Sequence, residues 1–201
     1  MNELCTLGAK YRTDKHNAKN FPEEGDLTSV YHGLLKDRRD DVRKVLEIGI
    51  GHTVAGREGW MGTIDDYHAG ASLFMWEEYF SNAEIFALDI VTEALINQGR
   101  IRSFWCDQSS EDSLRSIMPT LGTDFDLIID DGSHQVEHQI LTANTFMPLL
   151  GPRGIYVIED IHLKDREMIK NGIKNPSEFR EVIDTEGLIG DLMLIFKKES
   201  V

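Results

Sequence analysis

Four short apolar runs, each closing on a carboxylate, govern what this chain can fold into. They are Val42–Glu47 (Val-Arg-Lys-Val-Leu-Glu), Glu84–Asp89 (Glu-Ile-Phe-Ala-Leu-Asp), Phe125–Asp130 (Phe-Asp-Leu-Ile-Ile-Asp) and Gly154–Glu159 (Gly-Ile-Tyr-Val-Ile-Glu). A fifth, Arg100–Asp107, is less apolar but finishes the same way. Between the runs, apolar residues recur at helical spacing: Leu73, Trp76 and Phe80; Leu114, Ile117 and Met118; Val136, Ile140, Ala143 and Met147. Near-continuous apolar strands are those buried on both faces, and strands alternating with helices build right-handed βαβ units. The expected fold is therefore α/β: a mostly parallel sheet with helices on both faces. Phe179–Ile183 and Leu192–Phe196 flank Glu186-Gly187 and are expected to close the sheet as a C-terminal antiparallel hairpin. A charged helix is expected near Leu163–Lys174, and the N-terminal region should hold short helices, with Leu27–Leu35 the better defined.

At 201 residues the chain suits one domain, read as an N-terminal helical segment over 1–40 and an α/β core over 41–201. No apolar run approaches the roughly 20 residues of a membrane span. Lys and Arg total 21 against 35 Asp and Glu, a net charge of −14, which repels phosphate backbones and disfavours nucleic acid as a partner. Cationic ligands and metal ions suit it better. Two cysteines, Cys5 and Cys106, are too few for a disulfide framework, and Met-Asn-Glu-Leu-Cys is not the start of a signal peptide, so the expected setting is cytoplasmic and reduced. Trp60 and Met61, in a Gly-, Asp- and His-rich loop over His52–Ala69, suit a lid or a contact between copies.

Ligands of open parallel sheets bind beyond the carboxyl ends of the strands, and here each such end carries an acid. After the first strand comes Glu47-Ile48-Gly49-Ile50-Gly51, where glycines let the backbone approach a ligand. A dinucleotide motif would place a third glycine where Val54 stands. The helix begins instead near Gly70-Ala71-Ser72-Leu73, and Asp89 follows Gly70 by 19 residues, near the spacing of an acid that grips ribose hydroxyls. Glu47, Asp89 and Asp107, at three strand ends, suit an adenosine but leave little welcome for a pyrophosphate, which favours S-adenosylmethionine over NAD or FAD.

The densest chemistry is Asp130-Asp131-Gly132-Ser133-His134, with Glu159-Asp160 at another strand end. Neighbouring parallel strands lie about 5 Å apart, so Asp131, Glu159 and Asp160 can converge. Two carboxylates about 4 Å apart repel by about 4 kcal/mol at an effective dielectric near 20, so such a trio should hold protons or a cation. All-oxygen ligation suits Mg²⁺, or Mn²⁺ or Ca²⁺. His134, three residues beyond Asp131, is placed to serve as a general base. His138 and His162 read as packing or supporting groups, and Cys106 as buried rather than nucleophilic.

Together these residues resemble the metal-dependent class I methyltransferases that act on macrolide sugars, of the mycinamicin 3-O-methyltransferase type, and more distantly the cephalosporin-hydroxylase and rhamnosyl methyltransferase group. The likeness runs from Leu7-Gly8-Ala9-Lys10-Tyr11-Arg12-Thr13-Asp14-Lys15 through Val45–Gly49, Gly70–Leu73, Trp76, Tyr79-Phe80 and Asp107-Gln108. It continues through Asp130–His134 and His138-Gln139 to Gly154–Asp160, and the Asp-Asp-Gly-Ser-His and Ile-Glu-Asp pair is its specific part. The resemblance implies a Rossmann-like class I methyltransferase fold, S-adenosylmethionine as donor and Mg²⁺ on Asp131, Glu159 and Asp160. It implies His134 as the base, a cofactor pocket lined by Glu47, Gly49, Ser72, Asp89, Asp107, Gln108 and Asp130, and Thr13-Asp14-Lys15 folded over it in a lid.

It further implies methyl transfer to a hydroxyl of a small-molecule acceptor such as a glycosylated natural product. No counterpart of the macrolide enzymes' large N-terminal auxiliary domain is expected here, and the tyrosine-rich run after Thr-Asp-Lys is altered around Phe21–Tyr31, which leaves the acceptor open. Two other classes compete: a non-catalytic S-adenosylmethionine binder or assembly protein, and a metal-dependent hydrolase built on the same carboxylates.

Overall fold

A computed structural model describes residues 2–16, 26–52, 67–174, 179–184 and 193–198. Two short helices, α1 (Glu3–Tyr11) and α2 (Leu27–Leu35), precede strand β1 (Lys44–Ile48). The core continues as α3 (Ala71–Tyr79), β2 (Glu84–Asp89), β3 (Asn97–Gln98), β4 (Ile101–Trp105), α4 (Glu111–Leu121), β5 (Phe125–Asp130), α5 (Val136–Phe146) and β6 (Leu150–Ile158). It ends in α6 (Arg166–Gly172), β7 (Phe179–Asp184) and β8 (Leu194–Lys198). Among the described residues these make one sheet in the order β3-β4-β2-β1-β5-β6-β8-β7. Strands β4, β2, β1, β5 and β6 run parallel, and β8 and β7 return antiparallel, as the hairpin expectation requires.

The strands alternate strictly between two cores. Val45, Ile85, Ala87, Leu127, Ile129, Ile155 and Val157 face a cluster completed by Leu4 and Leu7 of α1, Tyr31 of α2 and Trp76 of α3. Leu46, Phe86, Leu88, Ile128, Tyr156 and Ile158 face the other, with Leu114 of α4, Phe146 of α5 and Ile169 of α6. Period-two alternation in a doubly covered sheet makes both faces apolar, which is why the strands read as continuous runs.

Caps set the helix starts. Asn2 accepts from the Cys5 N–H at 2.9 Å, Asp26 from the Ser29 N–H at 2.9 Å and Ser110 from the Ser113 N–H at 3.3 Å. Helix α3 follows Gly70, whose φ of +75° is the left-handed region.

Three differences from expectation have local causes. Strand β6 begins at Leu150, not Gly154, because the chain pairs with Phe125 across a register shift and Gly154 lets it pass close: a Cβ there would lie 2.7 Å from the Phe125 carbonyl oxygen. The charged stretch after Asp160 starts as one 3₁₀ turn, Leu163–Asp165, before α6. Strand β3 has two residues, too few to leave a periodic signal. Most of the His52–Ala69 loop, with Val54, Trp60 and Met61, lies outside the described residues, as does Phe21. Cys5 and Cys106 are both free and buried. Among the described residues, no helix is long and apolar enough to cross a membrane.

Candidate active site

Strand parity sorts the acids at the sheet's carboxyl edge. Glu47 follows Val45 onto the α1–α3 side, where its carboxylate accepts from the Trp76 indole N–H at 2.8 Å and from the Ser72 hydroxyl. Asp130 follows Ile128 onto the opposite side, fully buried, where it accepts from Gln108 Nε2 at 2.6 Å and the Tyr156 hydroxyl at 3.4 Å. Burial pushes its carboxyl up to about 7; the Asp131 charge adds to this, while the Gln108, Gly132 and Tyr156 hydrogen bonds pull it down. The backbone ladder continues past the strands, with the Asp131 N–H bonded to the Ile48 carbonyl at 2.9 Å and the Glu159 N–H to the Asp130 carbonyl at 2.9 Å. Asp131 and Glu159 thereby return to the side that Glu47 occupies.

At the meeting point of those three acids lies the Lys15 ammonium, 2.6 Å from Asp131 Oδ2, 2.7 Å from Glu159 Oε2 and 3.2 Å from Glu47 Oε1. Its side chain is 1% exposed. Burial opposes the charge, but Asp131, Glu159 and Glu47 outweigh it and hold the Lys15 pKa well above its ordinary value. The second Glu159 oxygen accepts from the Tyr31 hydroxyl.

The Asp131–His134 turn is held from beneath: Gln108 Oε1 accepts from the Ser133 N–H at 2.8 Å, and the Ser133 hydroxyl meets His138 Nδ1 at 2.8 Å. His134 and Asp160 both take left-handed backbone conformations, φ +54° and +52°. A residue other than glycine there costs about 1 kcal/mol or more, and such strain gathers at functional sites. The pair faces itself across the edge, His134 Nε2 to Asp160 Oδ2 at 3.9 Å, and ligand atoms of Asp131, His134 and Asp160 all lie within 4.8 Å of one another. This donor set, dominated by carboxylate oxygens, fits a hard divalent cation; of the expected trio it brings together Asp131 and Asp160, whereas Glu159 is not among the clustered ligand atoms and gives its oxygens to Lys15 and Tyr31.

Beside the cluster opens a cavity of about 640 Å³. Of the residues expected at the cofactor, Glu47, Gly49, Ser72, Asp89, Asp107 and Gln108 line it, as do Asp131, His134 and Asp160. Thr13, Lys15, Asp130 and Glu159 do not line it and stand behind the wall, whereas Asp14 does. Asp89 ties two loops, accepting from the Ile50 N–H at 2.8 Å and the Val91 N–H at 2.7 Å. Asp107 accepts from the Ser109 N–H at 2.9 Å and hydroxyl at 2.7 Å, bonds that lower its pKa. Ile48, Ile50, Leu88, Ile90 and Val91 supply apolar wall, and no Lys or Arg lines the cavity among the described residues. Its size is that of small-molecule sites, and a wall that carries carboxylates but no Lys or Arg fits a cationic nucleoside better than a pyrophosphate.

Sequence reasoning missed the Tyr31 and Tyr67 roles and the Lys15 clamp. Tyr67, buried, donates to the Ile50 carbonyl at 3.2 Å, and Tyr31 shows only as a core-spaced aromatic in α2. No local pattern joins Lys15 to acids at three distant strand ends.

No protein-family model matches the chain. The 8-demethyl-8-alpha-L-rhamnosyl tetracenomycin-C 2'-O-methyltransferase of Streptomyces olivaceus is 31% identical over 79% of this chain and 37% of its own length. The mycinamicin VI 2''-O-methyltransferase of Micromonospora griseorubida is 32% identical over 79% of this chain and 36% of its own. The chain thus spans well under half the length of the curated relatives it matches. Among solved structures, the MycE methyltransferase of the mycinamycin biosynthetic pathway, in complex with Mg, SAH and mycinamycin VI, superposes with a TM-score of 0.76 at 24% identity, over 99% of this chain and 55% of that one. The chain has the class I methyltransferase fold and over about four fifths of its length is similar to O-methyltransferases of rhamnosyl tetracenomycin and mycinamicin.

Proposed function

We propose that the chain transfers a methyl group from S-adenosylmethionine to a hydroxyl of a sugar on a glycosylated natural product, with Mg²⁺ at the acceptor. The observation that carries this reading is the Asp131, His134 and Asp160 cluster, its ligand atoms within 4.8 Å, set on the wall of a carboxylate-lined cavity. The named activities of the curated relatives support it.

In this reading Asp131, Glu159 and Asp160 hold the metal, and Glu47, Gly49, Ser72, Asp89, Asp107 and Gln108 receive the cofactor. Thr13, Lys15 and Asp130 act on that pocket from behind its wall. When bound, the cofactor supplies the methyl group and the divalent cation supplies charge that acidifies a hydroxyl. His134 takes the acceptor proton at Nε2, and Asp160, 3.9 Å away, steadies the imidazolium so formed. Asp131 fixes that hydroxyl within reach of His134, and alignment of this kind supplies the larger share of the rate. The segment 1–40 is the lid of a single domain spanning 1–201, and the working setting is the cytoplasm.

Calorimetric titration with S-adenosylmethionine and S-adenosylhomocysteine, with and without Mg²⁺, tests the donor. Methyl transfer to rhamnosylated and macrolide glycosides then tests the acceptor. Binding of both cofactors with metal-dependent transfer is the expected result. Failure to bind either cofactor would overturn the reading in favour of a metal-dependent hydrolase, and cofactor binding without transfer to any glycoside would favour a binding protein.

A further inference from the structure

Both oxygens of Glu159 are committed to side chains of the N-terminal segment. Lys15 Nζ lies 2.7 Å from Oε2, and the Tyr31 hydroxyl donates to Oε1. Asp131 gives Oδ2 to the same ammonium at 2.6 Å. An ammonium has three N–H donors and no acceptor, and Lys15 turns it toward three carboxylates at the ends of strands that are neighbours in the sheet, Glu47, Asp131 and Glu159. Lys15 and Glu159 are each about 1% exposed, so water does not screen the contact. The lysine backbone is also tied to α2, because the Thr28 N–H donates to the Lys15 carbonyl at 3.2 Å.

We propose that Lys15 is the resident counter-cation of the carboxylates that receive the divalent ion, a positioning residue that competes with the metal for Asp131 and Glu159. The inference rests on the metal reading given above. A dication cannot share a Glu159 oxygen with an ammonium at hydrogen-bond distance without strong repulsion, so metal entry displaces Lys15 or Tyr31 from Glu159. Either displacement acts on α2, Lys15 through the Thr28 amide and Tyr31 directly. Metal binding and the seating of Lys15 and α2 are therefore one linked equilibrium, and the metal's affinity is what remains after Lys15 is moved. A purely structural lysine would predict the reverse: removing it would disorder the carboxylates and weaken the metal.

The test is Mg²⁺ and Mn²⁺ titration of the full chain by calorimetry, in the wild type, Lys15→Met and Tyr31→Phe. Lys15→Met should bind more tightly by roughly tenfold or more, since one positive charge leaves the site, and Tyr31→Phe by a smaller factor. Tyr31→Phe keeps its ring in the core and serves where Lys15→Met does not fold. In the wild type, hydrogen exchange should show the Thr28 amide opening faster when Mg²⁺ is added without cofactor. Unchanged or weaker binding in the folded variants, or a Thr28 amide indifferent to Mg²⁺, overturns the inference while leaving the metal site intact. A wild type that binds neither ion, with or without S-adenosylhomocysteine, overturns the metal reading itself.

Discussion

His134 Nε2 lies 3.9 Å from Asp160 Oδ2, and both residues hold left-handed backbone conformations that neither side chain favours. Their side chains meet beside Asp131, with ligand atoms of all three residues within 4.8 Å of one another, and the proposed function gives His134 the acceptor's proton. His134→Ala should lower turnover by about 10²–10⁴-fold. S-adenosylhomocysteine affinity should stay within about twofold, because Asp89, which ties the two loops of the cavity wall, is left in place. His134→Asn, a residue that tolerates φ near +54°, controls for loss of the turn. Turnover that survives in both variants would remove His134 from the base role.

Gly49 and Gly132 look alike in the sequence but differ in what surrounds them. A Cβ on Gly49 would lie 2.0 Å from the Asp131 carbonyl oxygen, at a φ of +91°. A Cβ on Gly132 would meet only the far end of the Gln108 side chain, at 2.3 Å. Backbone cannot yield as a flexible amide can. Gly49→Ala should therefore lose roughly 1–2 kcal/mol for the left-handed backbone alone, more for the overlap, and displace Asp131. Gly132→Ala should cost less than Gly49→Ala, its loss being the Gln108 hydrogen bonds to the Ser133 N–H and to Asp130. Thermal melts and Mg²⁺ titration of the two variants compare these outcomes, and a Gly49→Ala protein that melts like the wild type would contradict the geometry.

The fold was legible because burial on both faces makes each strand a local signal: β2 and β5 occupy the apolar runs over 84–89 and 125–130 residue for residue. The convergence of acids was legible from their place at strand ends. Their division was harder to see, although period-two geometry contains it. Asp130 and Asp131 are adjacent in sequence and so fall on opposite sides, one against Tyr156 and Gln108, the other against Lys15. Asp130 therefore stands behind the cavity rather than on its wall. The Lys15 clamp was not legible at all, because its contacts span 116 and 144 residues of chain and depend on where the loop after α1 docks.

Cys106 borders the cavity yet is 4% exposed, 3.5 Å from the Ser113 hydroxyl. Burial pushes its thiol above the ordinary value, Asp107 adds to the shift and the Ser113 hydrogen bond partly offsets it. The thiolate is the reactive form, so alkylation of Cys106 in the folded protein should be slow at neutral pH. It should rise with pH later than that of a free thiol, and cofactor should slow it further. Mass spectrometry after timed alkylation, in Cys5→Ser to isolate the site, reads this directly. Rapid modification near neutral pH would show that Cys106 is neither buried nor raised.

Asp26 joins the N-terminal segment into one unit. Its carboxylate caps α2 through the Ser29 N–H at 2.9 Å, accepts from the Thr28 hydroxyl at 2.7 Å and meets His16 Nδ1 at 2.5 Å. Burial alone would raise its pKa, but the Thr28, Ser29 and His16 bonds prevail and lower it. A carboxyl lowered on folding adds stability above the unfolded aspartate value of about 3.9 and loses it as pH falls through the folded value. Asp26→Ala should cost about 0.5–2 kcal/mol at neutral pH through the lost cap alone. Asp26→Asn keeps a capping oxygen but cannot titrate, so its deficit against the wild type should shrink as pH drops below about 4. Denaturant melts of the three proteins from neutral to acid pH resolve the two contributions, and a deficit for Asp26→Asn that stays constant across that range would mean the carboxyl's charge adds nothing to the fold.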